Sequence, residues 1–321
     1  MKRMISDPPS APRPHRRAVL AALAGSVLTL ASGVPGTRPL HAAPAAPIHT
    51  RPFPATGQRV PAIGMGTWIT FNVGSDERLR AERADVLRAF FDAGGTVIDS
   101  SPMYGSSEAV VGWCLARLRP PARPFAATKV WTWLQASGPG QMAESQALWG
   151  IDRFDLMQVH NLLNWDGHLE TLLADKAAGR IRAIGITTSH GSRHAEMAAI
   201  MREQPIDAVQ FSYSILDREA EARLLPLAAE RGLAVIINRP FRGGALFDIL
   251  ARHPLPSWAG EIGCTAWSQI MLKFIISHPA VTCVIPATSR VDHMNENMAA
   301  LTGPLPDAAL RRRMVADIEA L

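Results

Sequence analysis

Leu233-Ala234-Val235-Ile236-Ile237-Asn238 is apolar at five consecutive positions, with Gly232 before it and Pro240 soon after. A strand wetted on one face alternates apolar and polar residues. This run does not alternate, so both of its faces must be covered. Working back from it, the pattern predicts a helix over 220–231, a strand over 206–213, a helix over 195–202 and a strand over 181–187. Further back come a helix over 169–178 that stops at Gly179, a strand over 154–160, a helix over 143–149 and a strand over 125–130. The first units are a helix over 106–118 with Ser106 or Ser107 as its cap, a strand over 96–99, a helix over 78–91 ended by Gly94-Gly95, and a strand over 62–68. Beyond Asn238 follow a helix over 265–277 ended by Pro279, a strand over 281–285, a helix over 293–301 and an extra terminal helix over 308–320.

Eight strands, each followed by a helix, predict an α/β fold: a single-domain (β/α)8 TIM barrel over residues 48–321, since buried parallel strands with right-handed crossovers close most economically into a ring. The competing arrangement, a doubly wound open sheet, would carry a Gly-rich phosphate turn after its first strand. Gly64-Met65-Gly66 is not followed by a helix start, so that fingerprint fails.

The composition, 47% hydrophobic and 19% charged over 321 residues, is enough for such a barrel, which takes about 250 residues. The formal net charge of +5 is local. Lys2, Arg3, Arg13, Arg16, Arg17 and Arg38 stand against Asp7 alone in the first forty positions, and the remainder is balanced. A balanced body gives no electrostatic footprint for nucleic acid. Cys114, Cys264 and Cys283 are far apart and fit no metal-ligand spacing. They read as small buried apolar residues, and no metal is expected. Nothing resembling a heptad or repeat argues for an oligomer, so a monomer is expected.

Residues 1–47 read as an export signal and flexible leader. A polar, Pro-rich start ends in His15-Arg16-Arg17, an apolar run occupies 18–30, and Leu40-His41-Ala42-Ala43-Pro44-Ala45-Ala46 offers small residues for cleavage. The apolar run is short of the roughly 20 residues that span a bilayer. Arg16-Arg17 resembles a twin-arginine signal, with His15 and Val19 in place of its usual serine and phenylalanine. The expectation is a periplasmic protein passed by the twin-arginine machinery and touching a membrane only through the leader. An ordinary secretory signal or an uncleaved anchor is the alternative.

In a barrel of this kind, chemistry sits at the C-terminal ends of the strands. The second strand ends in Asp99, with Tyr104 just beyond. The third carries Lys129 near its end, and the fourth closes with His160. Each of these residues alone would be a turn, rim or packing residue. Four of them at one end of successive strands point to a site.

Gly95-Thr96-Val97-Ile98-Asp99-Ser100-Ser101-Pro102-Met103-Tyr104-Gly105-Ser106-Ser107-Glu108, followed by Gly112, closely resembles the aldo-keto reductase signature. Ala127-Thr128-Lys129 resembles that family's lysine strand, and Asp155-Leu156-Met157-Gln158-Val159-His160-Asn161 its histidine strand. Val284-Ile285-Pro286-Ala287-Thr288-Ser289, with Glu296-Asn297, resembles its cofactor-phosphate segment. The resemblance runs from about residue 61 to 300. It implies hydride transfer between NADP(H) and an aldehyde, ketone or alcohol, with Tyr104 as general acid/base. On this reading Lys129 lowers the phenol's pKa, Asp99 holds Lys129, and His160 orients the substrate oxygen, as neutral imidazole or as proton relay.

The resemblance further implies cofactor contacts from Gly66, Thr67, Thr187, Thr188 and Gln210. Arg239 stands near the place where the family has a stacking tyrosine, and either stacks or meets a phosphate. At the adenosine end it implies Thr288, Arg290, His293 and Asn297, with NADP favoured over NAD. Trp68, Trp131, Trp133, Asn161 and Trp165 are the candidate substrate contacts and suggest an apolar or ring-bearing carbonyl or alcohol. A non-enzymatic nicotinamide-binding barrel serving as a redox-responsive subunit is the second reading; the complete tetrad favours the enzyme.

Replacing Arg16-Arg17 by Lys-Lys should abolish delivery outside the cytoplasm, followed by fractionating cells that express the full chain. Undiminished export would contradict the twin-arginine reading.

Overall fold

The computed structural model describes residues 47–120 and 122–321. The leader expected over 1–47 lies outside the described residues except for Pro47. The first element is an antiparallel hairpin, β1 (Thr50–Phe53) with β2 (Gln58–Pro61). Eight strands follow: β3 (Met65–Gly66), β4 (Val97–Asp99), β5 (Phe125–Val130), β6 (Phe154–Val159), β7 (Ile181–Thr187), β8 (Ala208–Ser212), β9 (Ala234–Asn238) and β10 (Cys283–Val284). They pair in chain order and all in parallel. A parallel bridge between Ile63 and Val284 joins the two ends, with Gly64 N–H donating to Val284 O at 2.8 Å and Val284 N–H to Ala62 O at 2.9 Å. The sheet thus closes into the expected (β/α)8 barrel. At the closure the ladders are shorter than the runs 62–68 and 281–285 predicted.

The surrounding helices are α1 (Glu77–Asp92), α2 (Ser107–Leu118), α3 (Gly138–Trp149), α4 (Trp165–Ala177), α5 (His194–Glu203), α6 (Glu219–Ala222), α7 (Leu224–Arg231), α8 (Ala245–Leu250), α9 (Trp267–Ile276), α10 (Val291–Ala299) and α11 (Ala308–Glu319). The single helix expected over 220–231 is broken at Arg223, whose φ of −145° lies outside the helical region. Pro226 explains the break, because its ring would collide with the carbonyl four residues earlier and it has no N–H to donate. Ser106 precedes α2 but makes no capping bond; its hydroxyl donates to Asn72 and accepts from Gly74 N–H, tying two loops together. Gly112 lets α2 lie against α3: a Cβ there would come within 1.9 Å of Leu148 O.

Inside the ring, Val97, Phe125, Ala127, Leu156, Ala183, Ala208, Ala234, Ile236, Cys283 and Ile285 form one apolar cluster with Phe53 and Val60 of the hairpin. Phe53 meets Phe125, the first residue of β5, with ring centres 4.9 Å apart. The hairpin therefore plugs the N-terminal end of the barrel. Two residues further along the same inward rows the side chains become polar: Asp99 after Val97, Lys129 after Ala127, Gln158 after Leu156, and Gln210 after Ala208. The barrel is an apolar plug below and a polar layer above. All three cysteines are buried and free. No helix among the described residues is long and apolar enough to cross a membrane, and no described group of three or more His, Cys, Asp or Glu could hold a metal ion.

Phe53→Ala should destabilise the barrel by about 3–5 kcal/mol, the usual cost of emptying a core aromatic site, read as a lower urea midpoint. A change below 1 kcal/mol would mean the hairpin is not part of the core.

Candidate active site

Lys129 has no solvent contact and Asp99 is 1% exposed. Lys129 Nζ donates to Asp99 Oδ1 at 2.5 Å and to Ser100 O at 2.7 Å. The second carboxylate oxygen accepts from Gln158 Nε2 at 3.1 Å and Gln210 Nε2 at 3.0 Å. A buried ion pair persists only when its remaining donors and acceptors are satisfied, and the two glutamines do this for the carboxylate. Burial disfavours the ammonium, but Asp99 and Tyr104 favour it by more, so Lys129 stays charged above its ordinary range.

Tyr104 ends a single 3-10 turn, Pro102–Tyr104, capped by Ser101 Oγ, which accepts from Met103 N–H at 3.2 Å. Gly105 follows at φ +62°, and a Cβ there would strike Asn72 at 2.5 Å, so only glycine fits this exit. The half-buried phenol lies with its ring centre 5.1 Å from Lys129 Nζ. Burial raises its pKa, Lys129 opposes that rise, and Asp99 adds to it; the net direction is upward. The lowering expected from Lys129 is real as a contribution, yet desolvation outweighs it.

His160 sits edge-on to Tyr104, ring centres 5.6 Å apart at 85°. It is buried, and its Nδ1 lies 2.8 Å from Ser101 Oγ. Burial and the Lys129 charge push its pKa down to about 2, so the imidazole is neutral.

Tyr104, His160 and Asp99 line one cavity of about 320 Å³ at the C-terminal ends of the strands. Gly66, Thr67, Trp68, Asn161, Thr187, Thr188, Gln210 and Arg239 line it too. Several have their polar atoms engaged. Thr67 Oγ1 donates to Ser100 Oγ at 2.8 Å, Thr187 Oγ1 accepts from Asn161 N–H at 2.9 Å, and the Thr188 hydroxyl is directed at Met197 Sδ. Gln210, expected at a nicotinamide amide, spends its own amide on Asp99.

Four of the expected cofactor residues stand apart from the lining. Thr288 and Asn297 are buried at α10, while Arg290 and His293 are exposed at its start, and Arg290 is paired with its neighbour Asp292. Of the four tryptophans only Trp68 reaches the cavity. Trp133 is 79% exposed, Trp131 is exposed, and Trp165 packs half-buried against the outer core. Sequence reasoning gave no role to Gln158, whose signal was its place in the inward row between Leu156 and His160. It also passed over Phe241 and Phe247, which wall the cavity from the segment after β9. That segment carries α8, and nothing in its pattern foretold it.

The model of the Aldo/keto reductase family matches residues 62–314, and the chain belongs to that family. It is 29% identical over 262 residues to methylglyoxal reductase YeaE of Escherichia coli, covering 78% of this chain and 89% of the relative. An NADH-specific methylglyoxal reductase of the same organism is 25% identical, over 84% of this chain and 98% of its own. Among solved structures, an aldo/keto reductase from Klebsiella pneumoniae in complex with NADP and acetate superposes with a TM-score of 0.70 at 27% identity, covering 82% of this chain and 93% of that one.

The depressed His160 pKa fixes a sign. The folded chain refuses a proton that the unfolded chain accepts, so His160 weakens the fold as pH falls from its ordinary 6.5 toward about 2, and has no such effect above that window. Within the folded enzyme, kcat/KM for carbonyl reduction should show no step at 6.5 from this residue. A step there that vanishes in His160→Gln would contradict a neutral imidazole.

Proposed function

We propose that this chain is an exported, monomeric carbonyl reductase that uses NADP(H), with Tyr104 as its proton donor. The observation that carries the reading is the buried Lys129–Asp99 pair beneath a phenol and a neutral imidazole that face one cavity. As a member of its family the protein is an NAD(P)-dependent oxidoreductase.

The residues present fit a dinucleotide. Arg239 lines the cavity at φ 50°, a left-handed conformation that costs a non-glycine residue energy. Its guanidinium makes no hydrogen bond or ion pair among the described residues, lies 6.0 Å from the Trp68 ring centre, and faces an Asp217 already paired with Arg242. A cation held against a cavity without an acid suits a pyrophosphate or the face of a nicotinamide. Gly66, Thr67, Thr187, Thr188 and Gln210 would border the ring. Thr288, Arg290, His293 and Asn297 would meet the adenosine end, where the two basic side chains favour the extra phosphate of NADP(H). The NADP complex of the Klebsiella neighbour supports that choice.

When bound, the cofactor supplies or accepts the hydride. As a carbonyl carbon takes a hydride, its oxygen needs a proton, and Tyr104 gives it. The phenolate left behind is stabilised by Lys129, which Asp99 keeps charged and in place. His160 donates a hydrogen bond to the same oxygen and orients it. The cavity must hold both the nicotinamide end and the substrate, so its volume favours a small aldehyde or ketone, and Trp68, Ile69, Met103, Phe241 and Phe247 favour one with an apolar flank. The methylglyoxal reductases among its relatives support small carbonyl substrates. Trp131 and Trp133, exposed after β5, are left for larger substrates that extend past the rim, with Asn161 at the inner wall, whereas Trp165 packs against the outer core and takes no part. The leader's Arg16-Arg17 supports export of the folded protein with cofactor in place through the twin-arginine route.

Tyr104→Phe should lower kcat for reduction of a small carbonyl by about 10²–10⁴-fold, the range for losing a positioned acid, while NADPH binding by fluorescence titration is unchanged. Turnover within threefold of the parent would refute the assignment.

A further inference from the structure

Ser101 is fully buried two residues beyond Asp99, and its hydroxyl has two neighbours among the described residues. Met103 N–H donates to Oγ at 3.2 Å, and His160 Nδ1 lies 2.8 Å away. A serine hydroxyl has one proton to give. Among the described residues the acceptor in reach for that proton is Nδ1. Were Nδ1 itself protonated, it would point its hydrogen at Oγ and strand the serine proton in a buried place, at the cost of an unmade hydrogen bond. The other ring nitrogen, Nε2, has no hydrogen-bond partner among the described residues, and the residue lines the cavity.

We infer that Ser101 is a positioning residue that donates to His160 Nδ1 and so locks the imidazole in the tautomer that presents Nε2–H to the substrate oxygen. The inference rests on the reading of His160 as an oxygen-orienting donor and sharpens it. With Nδ1 an acceptor, the ring cannot take part as a charged proton relay. The downward shift of the His160 pKa agrees with this, because a ring that stays neutral has one nitrogen free to accept. The assignment also accounts for a serine in this fully buried place, since its two interactions there are the Met103 turn and the imidazole.

The test is nitrogen NMR of the histidine rings in the full chain without substrate, with His160 identified by its absence from His160→Gln. The expected signature at pH 7.5 is a protonated Nε2 and an unprotonated Nδ1. In Ser101→Ala the Nδ1 signal should shift or the two tautomers should mix. That variant's kcat should fall about 10–100-fold, as when a hydrogen bond that orients an imidazole is lost, with NADPH affinity unchanged. Ser101→Thr, which keeps the hydroxyl, should restore both the signature and most of kcat. A parent spectrum with Nδ1 protonated, or His160 signals identical in parent and Ser101→Ala, would overturn the inference. If Ser101→Ala fails to fold, the parent spectrum and Ser101→Thr still decide it. The ring signals do not depend on turnover, so a protein with this tautomer that reduces no carbonyl would refute the enzymatic reading and leave the Ser101 role intact.

Discussion

An ammonium and a carboxylate share the interior of this barrel with almost no solvent exposure, and the rest of the site is arranged around that fact. Desolvating two charges costs several kcal/mol each unless every lone pair and proton is met. Here Ser100 O takes a second proton of Lys129, and Gln158 and Gln210 cover the far carboxylate oxygen. The barrel makes this possible because its inward rows are apolar as far as Ala127, Leu156 and Ala208 and turn polar only at the next inward position. The hairpin seals the lower end with Phe53 and Val60, so the pair is approached from one side only.

The pair then sets the properties of its neighbours in opposite directions. Lys129 helps keep His160 neutral and, at the same time, resists the upward drift that burial imposes on Tyr104. One cation thus works on an acid that must give its proton and on an imidazole that must not take one. At the mouth the electrostatics differ. Arg242 occupies Asp217, and Arg239 is left facing the cavity without an acid of its own. At α10, by contrast, Asp292 engages Arg290, so any grip on an adenosine phosphate there competes with an existing ion pair.

The ring of strands was readable because doubly buried parallel strands leave continuous apolar runs, and Leu233 to Ile237 is the plainest. The four polar residues at strand ends were readable for the same reason, as interruptions of such runs. The hairpin was not, because two four-residue strands containing Pro52 and Pro61 carry too little alternation to register. Ser101 and Gln158 lie inside the recognisable motifs, yet their roles were not readable, since a polar side chain says nothing about its partner until the turn and the register are known. The tryptophans misled for a related reason. Trp131 and Trp133 do follow β5, but a loop's position does not say which way its side chains face, and only Trp68 turns to the cavity. Composition gave no hint of α8 and its flanks, which supply Phe241 and Phe247 as cavity wall.

The chain contains two tyrosines, Tyr104 and Tyr213, so the phenol at the centre of the account can be followed alone. Carbon NMR of ring-labelled tyrosine, with Tyr213 removed by Tyr213→Phe, reports the titration of Tyr104 in the parent and in Lys129→Met. The account predicts a phenol that remains protonated past its ordinary value of 10.0 and titrates at still higher pH once the ammonium is gone. Superimposable titration curves in the two proteins would mean that Lys129 does not act on Tyr104, and would contradict it.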